Sequence, residues 1–239
     1  MKTKHLGKNK SNLLTGYKIL DPIERIRSSE SYGYDFWNAY EFSYLDVNKQ
    51  PTLKVLEIKI PVTSKFIIES KSLKLYLNSF YKKTFSSDSD VLTKIKKDLS
   101  KVSKANIELK FIKKFQIEPN SLNLNTTTRT HTQKNYPICF DGFRSICPVT
   151  SQPDFAKIYI LTPVKIETKW LRQLLTSFKE SGEFHEQCIE NIFSKLNKKF
   201  PNQDFEVCGR FLRRGGIDIN PVRSTKKTLL FKNFRAFNQ

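Results

Sequence analysis

Two tandem α+β modules, each an antiparallel sheet with two helices on one face, are the fold class that this sequence predicts, and three observations lead to it. First, the stretch Glu69-Ser70-Lys71-Ser72-Leu73-Lys74-Leu75-Tyr76-Leu77-Asn78-Ser79-Phe80 aligns without gaps on the twelve residues from Glu167 to Phe178, with six identities at a constant offset of 98 residues. Second, the flanks repeat in type: a strand precedes each copy, a second helix follows it, and a further strand closes the unit. Third, alternating and 3.6-residue hydrophobic periods replace one another in the same order in both halves.

Residues 1–35 are polar and weakly periodic and read as an N-terminal arm. The first module, 36–117, opens with an aromatic strand, Phe36 to Tyr44. Asn48-Lys49-Gln50-Pro51 turns it, and Leu53 to Ile60 alternates as a half-buried partner strand. A short strand, Lys65 to Ile68, runs into the first helix, whose apolar face is Leu73, Tyr76, Leu77, Phe80 and Tyr81, with Ser70 or Ser72 expected as its cap. A second helix is expected from Asp88 or Ser89, burying Val91, Leu92, Ile95, Leu99 and Val102, and a strand from Ile107 to Ile117. An Asn- and Thr-rich connector, 118–135, leads to the second module, 136–239. There a strand (Lys157 to Val164), the repeated helix, a helix over Phe184 to Lys198 and a strand over Phe205 to Leu212 are expected.

The net charge is +19, from 42 basic and 23 acidic residues. Such a surplus raises the question of nucleic acid, but the lysines are spread along the chain, and together with abundant Phe, Ile and Asn they fit AT-rich codon drift. Direct nucleic-acid binding is therefore not expected. No apolar run reaches the length of a membrane span, and no signal-peptide core follows the Lys-rich start, so a cytoplasmic protein is expected. The four cysteines (Cys139, Cys147, Cys188, Cys208) show neither CxxC nor zinc-ligand spacing, so no metal site and no disulfide framework is expected.

Three stretches carry candidate chemistry. Cys147-Pro148-Val149-Thr150-Ser151-Gln152-Pro153-Asp154 sets a thiol seven residues before a carboxylate. The two prolines are expected to hold both in one fixed turn, with Arg144 nearby to favour a thiolate. The alternative is an inert, packed cysteine. His185-Glu186 at a helix start reads either as a capping pair or as a proton handler beside a two-oxygen acceptor for a ligand edge with paired donors. Arg213-Arg214-Gly215-Gly216 reads either as an ordinary basic turn or as a phosphate grip. No GxGxxG or Walker loop occurs, so a dinucleotide would not lie in a Rossmann crevice.

Taken together, the Glu69 to Tyr76 stretch, the Cys147 to Asp154 stretch, Phe184-His185-Glu186-Gln187 and Arg213 to Pro221 resemble, in the family's order, the NADPH-dependent 7-cyano-7-deazaguanine reductases of queuosine biosynthesis. The signature precedes the cysteine, as in the two-module branch. The resemblance implies tandem tunnelling-fold modules, a homodimer, NADPH as cofactor and a nitrile substrate reduced to a primary amine. It places Cys147 as nucleophile and Asp154 as proton donor. It puts Ile68, Glu69, Ser70, His185 and Glu186 on the substrate, and Ser70, Lys71, Arg214 and Gly215 on NADPH. The competing readings are a cysteine amidohydrolase acting on a nitrile and a non-catalytic RNA-binding module.

Overall fold

The structure, a computed structural model, describes residues 15–27 and 30–239. The N-terminal arm expected over 1–35 therefore lies partly outside the described residues. The described chain divides into two units that interleave along the sequence. One takes the described residues up to Arg25 together with Phe36–Lys114 and Arg213–Asp218; the other takes Ile26–Asp35, Phe115–Leu212 and Ile219–Gln239. The Arg213 to Gly216 stretch, which falls within the 136–239 span, thus packs with the first unit, because Tyr40 N–H donates to the Gly216 carbonyl (2.9 Å) and Asn38 to Asp218 (2.8 Å).

In the first unit a 3-10 turn at Gly16–Ile19 leads to β1 (Pro22–Glu24), and β2 (Tyr32–Leu45) and β3 (Pro51–Pro61) follow. Asp46 organises the turn from β2 to β3: its carboxylate accepts the N–H groups of Asn48 (2.9 Å) and Gln50 (2.8 Å), an Asx turn that lets Lys49 take a left-handed conformation. β4 (Phe66–Ile68) pairs with β1, and α1 (Ser70–Asn78), α2 (Asp88–Ser103) and β5 (Glu108–Ile112) complete the unit, with strands in the order β5–β3–β2. α1 buries Leu73, Tyr76 and Leu77, with Phe80 just beyond it, but Tyr81 is exposed because the helix ends before reaching it. The buried stripe of α2 is Val91, Ile95, Asp98 and Leu99, while the expected Leu92 and Val102 stay partly exposed. Asp98 is tolerated inside because Tyr76 Oη (2.7 Å) and Lys94 Nζ (2.8 Å) both donate to it.

The second unit contains β6 (Leu122–Asn123), β7 (Ile138–Ile146), β8 (Pro153–Leu161), α3 (Thr168–Thr176), α4 (His185–Lys199), β9 (Glu206–Phe211) and, from Ile219 on, β10 (Ile217–Ser224), ordered β10–β9–β8–β7–β6. Only the β6–β7 pair among the registered pairs is parallel. A bulge between Phe140 and Phe143, with Gly142 at φ 73°, shifts the phase of β7. Ile138 and Phe140 face Ile160 and Ile158 before the bulge, and Phe143 and Ser145 face Ala156 and Asp154 after it. Both stretches therefore present side chains to the same core, where Ile158, Ile160, Val207 and Phe211 meet Leu171 and Leu175 of α3 and Ile189, Ile192 and Phe193 of α4.

The repeat is reproduced residue for residue. α1 spans Ser70–Asn78 and α3 spans Thr168–Thr176, and in each the following Ser (Ser79, Ser177) returns its hydroxyl to a carbonyl three residues back at 2.7 Å. The caps differ from expectation. Neither Ser70 nor Ser72 caps α1; Glu69 does, its carboxylate accepting the N–H groups of Lys71 and Ser72 at 2.8 Å each. Glu167, its counterpart, makes no side-chain cap bond and is exposed. The connector is also more ordered than its composition suggests: Thr132 N–H donates to Ile166 O, Thr168 N–H to Thr130 O, and Arg172 binds the carbonyls of Leu124 and Thr127 at 2.6 Å. The chain after β10 covers the sheet face away from the helices, with Phe231 and Phe234 against Tyr159. Glu206 anchors it by accepting the N–H groups of Leu230 and Phe231. No helix of the described residues is long and apolar enough to cross a membrane.

Candidate active site

Cys147 is the first residue after β7, in the six-residue loop that joins β7 to β8. Its N–H donates to Gln152 O (2.8 Å) and its carbonyl accepts from Ser151 N–H (3.0 Å), so the loop closes on itself with Ser151 left-handed at φ 57°. Asp154 does not share this turn, contrary to expectation. Pro153 is the first residue of β8, a position where a strand tolerates a missing N–H, and Asp154 follows within the strand, opposite Ser145. Arg144 serves a different purpose from the one its spacing suggests: its guanidinium donates to the Lys179 carbonyl and pairs with Glu180 (3.2 Å).

That use of Arg144 belongs to a second contact that brings the start of α4 alongside the loop. Ile146 N–H donates to Ser181 O (2.8 Å) and Glu183 N–H to Ile146 O (3.1 Å). α4 then begins at His185 with Glu186 in its first turn, where the helix dipole favours a carboxylate. His185 Nε2 lies 3.4 Å from Asp154 Oδ2, its ring lies flat on Phe211 with centroids 3.9 Å apart, and Asp154 and Glu186 are each only 5 % exposed. Cys147, Asp154, His185 and Glu186 thus belong to one unit.

Burial separates the four thiols. Cys139, Cys188 and Cys208 are buried, and Cys147 alone among the four is half-exposed. Burial pushes the Cys208 thiol up to about 11 and Cys139 upward as well. Burial also raises Cys188 strongly, and the nearby charges of Glu183, Asp154 and Glu186 add to the effect. Three thiols are therefore poor nucleophiles at neutral pH, which leaves Cys147 as the accessible one.

The remaining candidates sit in the first unit. Ile68 is buried in β4, paired with Pro22 of β1. Glu69 is 1 % exposed and both its oxygens are committed to the α1 cap, so its clearest task is to hold open the helix start that carries Ser70 and Lys71. Arg214 and Gly215 lie in a turn closed by Arg214 N–H to Ile217 O (2.9 Å). Gly215 is left-handed (φ 56°), and a Cβ there would come within 2.2 Å of Lys74 Nζ. Lys74 is thus a member of this cationic group that sequence reasoning passed over, although its place one helical turn after Lys71 was a usable signal. Arg213 lies over the Tyr40 ring at 5.0 Å instead of facing outward on its own. A cluster of Lys and Arg beside a left-handed glycine fits an anionic, phosphate-bearing group, which is the chemistry NADPH would present.

Comparison with known proteins places the chain as a whole. The model described as nitrile reductase, 7-cyano-7-deazaguanine-reductase N-term, matches residues 21–111, and the one described as QueF-like protein matches residues 153–229. A protein of Coxiella burnetii (strain Dugway 5J108-111) named NADPH-dependent 7-cyano-7-deazaguanine reductase is 36 % identical over 233 residues, covering 87 % of this chain and 82 % of its own. The chain belongs to the 7-cyano-7-deazaguanine reductase family. Two other reductases with the same name extend the likeness. That of Buchnera aphidicola subsp. Schizaphis graminum is 36 % identical over 247 residues (88 % of this chain, 93 % of its own), and that of Desulfotalea psychrophila is 37 % identical over 219 (81 % and 78 %). Cys147 lies between the two matched spans. The first covers α1 with Glu69, Ser70 and Lys71, and the second covers Asp154, His185, Glu186 and the Arg214 turn.

Proposed function

We propose that this protein reduces the nitrile of 7-cyano-7-deazaguanine to the primary amine, 7-aminomethyl-7-deazaguanine, at the expense of NADPH, as a step in queuosine biosynthesis. The observation that carries the reading is the placement of Cys147: the one half-exposed thiol, at the mouth of a hairpin whose next strand holds a buried carboxylate beside a histidine.

A nitrile carbon is a weak electrophile. Cys147 sulfur bonds to it, the carbon–nitrogen triple bond becomes a double bond, and the nitrogen takes a proton from Asp154, giving a thioimide. NADPH, when bound, supplies one hydride to each of two successive reductions. Between them the carbon–sulfur bond breaks, and the electron pair returns to Cys147. His185, in contact with Asp154, returns the proton that Asp154 has given, so that the carboxyl protonates the nitrogen again when the second hydride adds to the imine. Glu186 accepts from the paired donors of the deazaguanine ring. Ser70, Lys71, Lys74, Arg214 and Gly215 bind the phosphates, while Ile68 and Glu69 set the position of the α1 start. The acting form is a cytoplasmic homodimer, and direct contact with nucleic acid has no part in it.

The test is mass spectrometry of the protein incubated with the nitrile and no NADPH. The expected result is a gain of one substrate mass, lost in Cys147→Ala and kept when Cys139, Cys188 or Cys208 is replaced. An adduct that survives in Cys147→Ala overturns the assignment. Consumption of the nitrile with release of ammonia and no oxidation of NADPH identifies a hydrolase instead.

A further inference from the structure

We propose that Phe211 is the positioning residue for His185: its ring, in place of a hydrogen bond, sets the plane in which the imidazole meets Asp154. This inference rests on the reading of Asp154 and His185 given above.

A histidine that exchanges protons with a carboxylate is ordinarily held in one tautomer and one orientation by a hydrogen bond from its second nitrogen. His185 has no such anchor: Nδ1 is buried with no hydrogen-bond partner among the described residues, while Nε2 faces Asp154 at 3.4 Å. What the ring has instead is Phe211, at 3.9 Å between centroids and 6° between planes. The stack forbids the imidazole to tip, and the Asp154 contact selects which edge points to the carboxylate. Neither restraint alone suffices, since a contact at 3.4 Å is loose and a flat stack is indifferent to ring direction.

Phe211 can perform this task because it is itself clamped. It is fully buried, its edge meets Phe143 (6.1 Å, 88°), and it pairs across the sheet with Ala156 of β8, two residues beyond Asp154. Its carbonyl accepts from Gln239 (2.9 Å). Gly209 leaves the room the ring needs: a Cβ there would lie 2.8 Å from Phe211 Cε2 and 2.7 Å from Ile189 Cδ1. The residue that aims His185 is thus carried on β9, the neighbour of the strand that carries Asp154, so sheet register transmits directly to the imidazole.

The sequence contains three histidines, which makes imidazole NMR of the ¹⁵N-histidine-labelled protein direct, with His185 assigned by its loss in His185→Asn. In the unmodified protein we expect His185 ring protons displaced upfield by the Phe211 ring current, and ¹⁵N shifts of one tautomer. Two variants then separate ring from bulk. Phe211→Leu keeps an apolar side chain without a ring. It should give tautomer-averaged shifts and lower kcat roughly ten- to hundred-fold, as a misaimed catalytic group does, with KM within about twofold. Phe211→Tyr keeps the ring and should keep both properties. Wild-type signals that are averaged and lack the upfield displacement overturn the proposal even if neither variant folds. So does Phe211→Leu with wild-type shifts and turnover, or Phe211→Tyr as impaired as Phe211→Leu. An inactive wild-type protein that nevertheless shows the stacked signals refutes the catalytic reading and leaves the positioning contact standing.

Discussion

Replacing Arg223 by Met tests how α4, and with it His185 and Glu186, is held in place. Arg223 Nη1 lies 2.9 Å from Asp35 and Nε 2.7 Å from Glu190, and all three side chains are at most 2 % exposed. Glu190 stands one helical turn after Glu186, so the triad pins the part of α4 that carries the candidate site. Burial alone would push the Arg223 guanidinium down; the two carboxylates outweigh it and move it upward, which means that pairing exceeds desolvation here. Arg223→Met removes the cation and strands two buried carboxylates, a loss of about 3–5 kcal/mol. For a chain of this size each kcal/mol moves Tm by roughly 2–4 °C, so a drop of about 6–20 °C is expected in calorimetry. Adding Asp35→Asn and Glu190→Gln should recover much of that loss, because no uncompensated charge remains. A drop of under about 2 °C in Arg223→Met, or a triple variant less stable than the single one, would refute the reasoning.

Lys71→Ala and Arg214→Ala should each weaken NADPH binding roughly ten- to hundred-fold, the loss of one charge-assisted contact, and Lys74→Ala should weaken it by a similar or smaller factor; fluorescence titration of the cofactor decides. Glu186→Gln should weaken binding of the nitrile by about 1–3 kcal/mol in a Cys147→Ala background, since it turns one acceptor toward a donor, whereas Asp154→Asn should leave binding largely intact and slow adduct formation; calorimetry and mass spectrometry read the two effects separately. Burial raises Glu206 above its ordinary value against the opposing pull of the Leu230 and Phe231 N–H groups. The folded state therefore binds the extra proton more tightly than the unfolded state, and this contribution to stability is present below about pH 4.5 and lost as pH rises through the raised value. Urea midpoints of wild type and Glu206→Gln compared at pH 4 and pH 7 should show the wild type losing more on the way up.

The helices were legible in the sequence because their 3.6-residue period survives in both copies, and α1 and α3 fall where the twelve-residue repeat predicts. β7 was not. Its Asp141-Gly142 bulge breaks the alternation on which strand reading depends, since Phe140 and Phe143 serve the same core from an even and an odd position. The two prolines around the cysteine loop misled for a related reason: Pro153 reads as a turn residue yet opens a strand, a position where its missing N–H is tolerated. Cys147, His185 and Glu186 stood out as residue types at a helix start and beside prolines. Phe211 carried no local signal, because its partner His185 is 26 residues away and the contact exists only through the packing of α4 on β9.

The unequal caps of α1 and α3 bear on what the repeated segment demands of each copy. Glu69 and Glu167 are the same letter at the same place in a duplicated word, and by comparison of the halves alone both would be ranked as equally constrained. Physically they have parted: one is sealed inside with two backbone bonds to satisfy, and the other stands in water with none of its cap bonds made. The glutamate is therefore required for the cap at position 69 and not at position 167. A drifting lineage can lose the second glutamate with little effect, within about half a kcal/mol, while loss of the first leaves two N–H groups at the α1 start without their acceptor. Grafting the second copy's helix into the first would carry the right letters into a place that demands a different side-chain conformation from them.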